Sequence, residues 1–99
     1  MEKLNKNETA YNLTLFVAGN EPNSVLAKSI VKEVCDSYLT DNFNLKIVDV
    51  IEKFNEAIKN KIMVVPTLQV QSTKMNIKVV GSLDNVASLV KVLGLKSKT

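Results

Sequence analysis

The fold of this chain is decided by residues 13–24, which read LTLFVAGNEPNS. Apolar side chains at every second position predict a strand over residues 12–17, and Phe16 between them indicates that both faces are covered. Gly19-Asn20 is a turn-forming pair that ends the strand, and Pro22 suits the first turn of a following helix. A strand, a turn and a helix in this order begin a β–α unit.

The rest of the chain continues to alternate strands with helices. Most further elements are predicted from the period of their apolar residues: a helix ending near residue 39, a strand at 45–50, a helix at about 51–61, a strand at 75–79 and a helix over 83–93. Residues 62–70 form a nearly continuous apolar run that predicts another strand, with Val65-Pro66 at its start or on an exposed edge. Ser82 is the expected N-cap of the last helix. Phe54 and Ile58 are expected in the core rather than at an interface, although a segment that changes its packing can serve as both. The order βαβαββα predicts an α/β fold whose first two strands are parallel.

Length and composition predict one small domain. We assign residues 11–95 to it, residues 1–10 to a solvated N-terminal tail and residues 96–99 to a short basic tail. Residues 1–10 lack the apolar core of a signal peptide, and no apolar run reaches the roughly 20 residues that span a bilayer. We therefore expect a cytoplasmic protein that does not insert into a membrane.

The inventory of reactive side chains disfavours an enzyme. The chain has no histidine and one cysteine, Cys35, which rules out Cys-His pairs, an intrachain disulfide and a two-cysteine redox cycle. Asp49 has no second carboxylate or base beside it, so we expect it to cap the next helix rather than to act in catalysis. The formal net charge of +3 comes from scattered lysines without tryptophan, which disfavours nucleic-acid binding. No catalytic residue, metal ligand or cofactor site is predicted.

Local preferences conflict in the last third of the chain. β-branched residues are frequent in the predicted helix over 83–93, whereas Pro66 weakens the predicted strand at 62–70 because it lacks a backbone donor. Such a conflict is the condition for two competing packings of residues 62–95. On the residues alone, a single fold is still the favoured interpretation.

Two segments resemble thioredoxin-like proteins. In that fold the loop after the first strand carries a redox cysteine pair, and a cis-proline lies beside this pair. The segment VVPTL (64–68) resembles the cis-proline segment, so the resemblance implies a cis bond before Pro66. The corresponding loop here, residues 19–24, contains no cysteine. The resemblance therefore implies a redox scaffold without its chemistry, which points to a binding protein.

A more specific resemblance covers about residues 11–95. The stretches TLFVAGNEPNSVLA (14–27), LKIVDV (45–50), KIMVVPTL (61–68) and VVGSL (79–83) resemble the KaiB family of bacterial clock regulators. The resemblance implies a non-catalytic protein that binds the hexameric ATPase KaiC, opposes its phosphorylation and helps to sequester KaiA. It also implies two folds: a ground state ordered βαββααβ, often a tetramer, and a rare thioredoxin-like monomer that binds KaiC.

The same resemblance implies roles for particular residues. Pro66 and Gly81 match positions at the changing segment, and Lys46 lies on the edge that faces KaiA. This chain reads GSLDN at 81–85 where the family usually reads GDLSD, which moves the acid to Asp84 and affects the balance between folds. A basic end at residues 96–99 replaces the usual acidic tail, which indicates a divergent homologue, one that could serve stress adaptation rather than timing.

Three further expectations remain, the last of which rests on the KaiB resemblance. Lys53, Lys59 and Lys61 line the exposed side of the second predicted helix, where they could meet acidic residues of a partner. The alternative function is that of a thioredoxin-like redox protein using Cys35, although a cysteine within an apolar helical stripe is expected to be buried and unreactive. A stand-alone version of the KaiB-like input domain of clock kinases is a third possibility.

Overall fold

The computed structural model describes residues 11–40 and 42–95, so the predicted tails at 1–10 and 96–99 lie outside the described residues. The elements are β1 (Tyr11–Val17), α1 (Pro22–Val34), a π-helical turn (Cys35–Leu39), β2 (Phe43–Asp49), α2 (Phe54–Lys59), β3 (Thr67–Gln71), β4 (Asn76–Val79) and α3 (Val86–Val92). The predicted order βαβαββα is confirmed. None of the helices within the described ranges has the length and apolar content needed to cross a bilayer.

The four strands form one mixed sheet in the order β2-β1-β3-β4. β1 pairs in parallel with β2, as predicted, and β3 runs antiparallel to both β1 and β4. Leu15 lies at the centre, where it is opposite Ile47 on one side and Leu68 on the other. Both edges of β1 are therefore paired with neighbouring strands, and so are both edges of β3.

The main core lies between the sheet and the helices α1 and α3. Its fully buried members are spaced at two residues in the strands and at three or four in the helices: Leu13, Leu15, Val17, Ala27, Val31, Val34, Leu68, Val70 and Leu89. Met75 and Ile77 pack against this core and Val79 belongs to it, as the predicted alternation requires. The opposite face of the sheet is covered at one end, where Phe16 and its neighbour Val48 are buried.

The first helical run ends at Leu39, as predicted, although its last five residues, from Cys35, form the π-helical turn. The predicted length of the second helix is wrong. α2 has six residues instead of eleven. β3 begins at Thr67, directly after Pro66, which agrees with the expectation that Val65-Pro66 lies at the start of the strand, because Pro66 has no N–H for the ladder. The segment from Ile62 to Pro66 is therefore neither strand nor helix.

The predicted start of the last helix is also wrong. α3 begins at Val86, and its N-cap is Asn85, whose side-chain oxygen accepts a hydrogen bond from the Ser88 N–H at 2.8 Å. Ser82 does not cap the helix. Leu83 is buried in the main core before the helix begins, which holds residues 81–85 in an irregular turn.

Candidate protein-binding surface

The loops that follow the two parallel strands are joined by one carboxylate. Asp49 accepts hydrogen bonds at Oδ1 from the Gly19 N–H at 3.2 Å and from the Ile51 N–H at 3.0 Å. The expectation that Asp49 caps the next helix is wrong, because the N-cap of α2 is Lys53 and no side chain caps it. Gly19 has a φ of +52°, a conformation that glycine adopts without strain. Asp49 therefore positions the loops.

The place that would hold a redox cysteine pair instead holds a capping carboxylate. Glu21 is the N-cap of α1, and it accepts hydrogen bonds from the Ser24 N–H at 2.9 Å and the Asn23 N–H at 3.1 Å. The hydrogen bond from Asn23 is the main cause that lowers the pKa of Glu21 below its ordinary value. The buried Ser24 hydroxyl accepts a further bond from the Ala18 N–H at 3.0 Å. These bonds fix the loop but provide no nucleophile.

The single thiol lies far from that loop. Cys35 is 1% exposed, in the main core at the end of α1, roughly 20 Å along the helix axis from Glu21. Burial, with a smaller contribution from the nearby charge of Asp36, raises the pKa of the Cys35 thiol to about 11. The thiolate, which is the reactive form, is therefore strongly disfavoured at neutral pH.

Apolar side chains are exposed around α2 and the segment that follows it. We define the α2 surface by its members, whose exposed fractions are Ile51 71%, Phe54 65%, Ile58 58%, Met63 90% and Val64 51%. The expectation that Phe54 and Ile58 are core residues is wrong, because the short α2 buries only Ala57. A shallow hollow of about 200 Å³ lies among Phe54, Met63 and Val64.

Lysines surround this surface. Lys53, Lys59 and Lys61 are all exposed, as predicted, and they lie on α2 or directly beside it. Lys46 lies on the edge strand β2, with its Nζ 3.9 Å from Oε1 of Glu56 on α2. At this distance and exposure the pair contributes little stability, so the cation is available to a partner.

A second concave region brings together residues that are distant in the sequence. We call it the Gly81 groove: it has a volume of about 400 Å³ and is lined by Pro66, Gly81 and Asp84, among others. The Val65–Pro66 peptide bond is cis, as the thioredoxin resemblance implied. The sequence indicated these three residues one by one, but not that they border the same groove.

Comparison with known proteins decides the family. The KaiB domain family matches residues 14–95. The chain belongs to the KaiB family. It is 34% identical over 83 residues to the circadian clock protein KaiB3 of Synechocystis sp., covering 84% of this chain and 79% of that protein. It is 34% identical over 82 residues to the circadian clock oscillator protein KaiB of Nostoc sp., covering 83% of this chain and 76% of that protein.

Solved structures agree on the fold of this KaiB-family chain. A thioredoxin variant from Halobacterium salinarum superposes with a TM-score of 0.68 at 20% identity, covering 85% of this chain and 72% of that one. Mitochondrial thioredoxin 3 of Saccharomyces cerevisiae superposes with a TM-score of 0.69 at 17% identity, covering 87% of this chain and 78% of that one. At these identities the likeness shows the thioredoxin-like fold alone. The clock relatives support a regulatory role of the circadian-clock type.

Sequence reasoning missed part of the exposed apolar surface of this KaiB-family domain. Met63 and Val80, 90% and 50% exposed, were not singled out. One signal could have found Met63: it lies in an apolar run that Pro66 prevents from being the interior of a central strand. Within the part of the chain that the structure describes, no three Cys, Asp or Glu side chains come together as a metal site.

Proposed function

We propose that this chain is a non-catalytic regulator that binds a KaiC-type ATPase through the α2 surface and modulates its phosphorylation state. The observation that carries the proposal is the exposure of five large apolar side chains within fourteen residues, from Ile51 to Val64. Three of them, Phe54, Met63 and Val64, border one hollow, and an exposed apolar patch on a small domain marks a site of interaction. The family membership supplies the class of partner.

The chemistry of the α2 surface supports a protein partner. Phenylalanine and methionine are enriched at the cores of protein interfaces, and burying either Phe54 or Met63 would contribute about 1.5–3 kcal/mol. Lys53, Lys59 and Lys61 form a cationic rim that suits an acidic partner face and would speed association. Lys46, on the edge of the sheet beside Glu56, is available to a KaiA protein where one exists.

We further propose that binding is coupled to a change of fold in residues 62–95. The structure supports this in two ways: α2 is held by one buried side chain, Ala57, and residues 62–66 and 80–85 belong to no helix or strand. A switch of this kind needs two packings within a few kcal/mol. In the second packing, ordered βαββααβ, the chain would self-associate to a dimer or tetramer. Pro66, Gly81 and Asp84 lie where the two packings would diverge and are proposed to set their balance.

The experiment mixes the purified full chain with the KaiC-type ATPase of the same genome in the presence of ATP. We expect a complex that forms slowly, because only the competent fraction of molecules binds. Met63→Lys and Phe54→Lys should each weaken it by more than about tenfold. The matched control is Val25→Lys, since Val25 is 48% exposed but lies on α1, outside the α2 surface.

Two results would reject the proposal. One is no association within a day at micromolar concentrations of both proteins. The other is equal weakening by Val25→Lys and Met63→Lys, which would show that a general change of charge, and not the α2 surface, is responsible.

The redox alternative is consistent with the cis Val65–Pro66 bond and the thioredoxin-like fold, but no accessible thiol supports it in the described part of the chain. Its thiol, Cys35, is buried and protonated, and the loop at residues 19–24 contains no cysteine. A disulfide-reduction assay tests this alternative. It would be revived only if the wild-type chain reduced disulfides and the Cys35→Ser variant did not.

A further inference from the structure

The last strand, β4, forms one edge of the sheet, and its outer side is unpaired within the described part of the chain. The strand order β2-β1-β3-β4 places it at the end, so it pairs with β3 alone. An unpaired edge presents backbone N–H and C=O groups that can pair with another strand. The direction in which these groups point decides which residues of β4 are available.

The hairpin between β3 and β4 fixes that direction. Ser72 and Met75 exchange both backbone hydrogen bonds, at 2.7 Å from the Ser72 N–H and 3.5 Å from the Met75 N–H. Hydrogen-bonded and non-hydrogen-bonded positions alternate along an antiparallel pair, so Asn76 and Lys78 occupy non-hydrogen-bonded positions opposite β3. Their N–H and C=O groups therefore point outward, where no group of residues 11–40 or 42–95 pairs with them.

The side chains of β4 differ between the two faces of the sheet. Met75 and Ile77 pack against the main core but are only half-buried, and Val79 on the same face is buried. Asn76 and Lys78 lie on the opposite face and are exposed. A strand placed beside β4 would cover the half-buried apolar side chains, and on the other face it would have to match an amide and an ammonium group.

A second copy of β4 meets these conditions in one antiparallel register. Its outward groups must lie opposite those of the first copy for the backbones to bond. If Lys78 lay on the twofold axis, two ammonium groups would be directly opposed, and if Asn76 lay there, Lys78 would oppose Lys74 of the second copy. Like charges directly opposite destabilise a strand pair. An axis farther along the chain would place β4 against residues beyond its own ends. Only an axis at Ile77 avoids these faults, because Asn76 then lies opposite Lys78 of the second copy.

The same register matches the apolar face. Ile77 lies directly opposite Ile77 of the second copy, and Met75 lies opposite Val79 of the second copy. The position at Ile77 is non-hydrogen-bonded in the new pair, which is where opposed side chains approach most closely. Removing the half-buried apolar side chains from water is favourable in proportion to the area buried. On the other face, the side-chain oxygen of Asn76 can accept a hydrogen bond from the opposed ammonium group.

We propose that the thioredoxin-like packing of this chain forms an antiparallel dimer through β4, with Ile77 on the twofold axis and each Asn76 opposite Lys78 of the other copy. The two sheets then form one continuous sheet. The paired segment is short, so the dimer belongs to the weak, transient class of interfaces. The KaiB resemblance implied a monomer in this packing, and the proposed function places self-association in the second packing, so this inference goes beyond both.

Disulfide cross-linking tests the register. Ile77→Cys, Asn76→Cys and Lys78→Cys are each made in a Cys35→Ala background, so that every chain carries one thiol. At about 0.5 mM protein with oxidised glutathione, a concentration suited to a weak interface, we expect Ile77→Cys to form a covalent dimer at least about tenfold faster than the other two. Directly opposed Cα atoms lie about 4.5 Å apart, within the range of a disulfide, whereas the other two pairs are diagonal at roughly 7–8 Å. Accidental collision would instead favour the exposed positions 76 and 78.

A charge exchange tests the pairing of Asn76 with Lys78. Asn76→Lys opposes two lysines twice in each dimer, so the dissociation constant from sedimentation equilibrium should rise about tenfold. Adding Lys78→Glu to that variant makes each lysine face a glutamate and should restore the wild-type dissociation constant or lower it. Asn44→Lys is the matched control and should leave the dissociation constant unchanged. Asn44 is exposed and lies on the same face of the sheet, but it belongs to β2 at the other edge.

Several results would overturn the proposal: no covalent dimer from Ile77→Cys, equal rates at the three positions, or equal weakening by Asn76→Lys and Asn44→Lys. The spectrum of the cross-linked dimer must also keep the contact between the Hα atoms of Gln69 and Lys78, which marks the β3–β4 pair. Loss of this contact would assign the dimer to the second packing and reject the inference. Circular dichroism shows whether each variant folds, and if Ile77→Cys does not, the charge exchange decides.

Failure of this inference and failure of the proposed function are distinguishable. The assays contain no ATPase, and no member of the α2 surface belongs to β4. Met63→Lys should therefore leave the dimer unchanged, and a chain that does not dimerise through β4 could still bind the ATPase.

Discussion

The backbone N–H of Gly19 donates a hydrogen bond to Oδ1 of Asp49 at 3.2 Å, across thirty positions of the sequence. The same oxygen accepts from the Ile51 N–H at 3.0 Å. One side chain thereby fixes the exits of both parallel strands, β1 and β2, and with them the start of α1 and the approach to α2.

Removing this carboxylate should loosen both loops. We expect Asp49→Ala to lower the free energy of unfolding by about 1–2 kcal/mol, because the partly buried Gly19 N–H and the exposed Ile51 N–H lose their acceptor. Asp49→Asn keeps an oxygen at Oδ1 and should cost clearly less. Urea unfolding followed by circular dichroism measures both, and equal losses in the two variants would contradict this role.

Acid should weaken the cap of α1. The hydrogen bond from the Asn23 N–H holds the pKa of Glu21 below its ordinary value of 4.5. A carboxyl whose pKa is lowered on folding stabilises the fold above its unfolded pKa, and this contribution is lost as the pH falls through the folded value. The wild type should therefore exceed Glu21→Gln in free energy of unfolding by the largest amount at neutral pH. This difference should decrease as the pH falls below 4.5. A difference that does not change with pH would be the contrary result.

Cys35 should react only when the chain unfolds. Its burial and its raised pKa of about 11 predict slow alkylation by iodoacetamide in buffer and fast alkylation in urea. Because the folded pKa is raised, stability should also decrease as the pH rises from 9 towards 11. Cys35→Ala should lack this decrease, and rapid labelling of the folded chain would contradict the buried position.

Phe16 and Phe54 should differ in their contribution to the free energy of unfolding. Phe16 is 1% exposed, so Phe16→Ala should cost about 3–5 kcal/mol. Phe54 is 65% exposed, and Phe54→Ala should change the free energy of unfolding by less than about 0.5 kcal/mol. A large loss from Phe54→Ala in denaturant unfolding would show that this side chain serves the core and not a partner.

Lys61 has a left-handed backbone, with a φ of +58°. A residue with a side chain is strained by about 1 kcal/mol in this region, so Lys61→Gly should stabilise the observed fold by up to that amount. Lys59→Gly is the control with the same change of charge: it lies in α2 and should destabilise by about 1 kcal/mol. Thermal unfolding compares the two variants, and loss of stability in both would contradict the prediction.

The order of elements and the family could be predicted because both depend on local patterns. Alternation in β1 and β4, and the break at Gly19, depend on residues a few positions apart, so they are visible without tertiary contacts. The stretch at residues 14–27 was also specific enough to indicate the family that the comparison confirms.

The surfaces could not be predicted in this way. Phe54 and Ile58 have the spacing of core residues, yet they are exposed because the short α2 buries only Ala57. Periodicity shows that residues share a face but not whether anything covers that face. The meeting of Pro66, Gly81 and Asp84 with Leu26 at one groove likewise required the tertiary arrangement that brings α1 next to the segments before β3 and after β4. Local steric preference is encoded within a few residues, whereas exposure is a property of the whole packed chain.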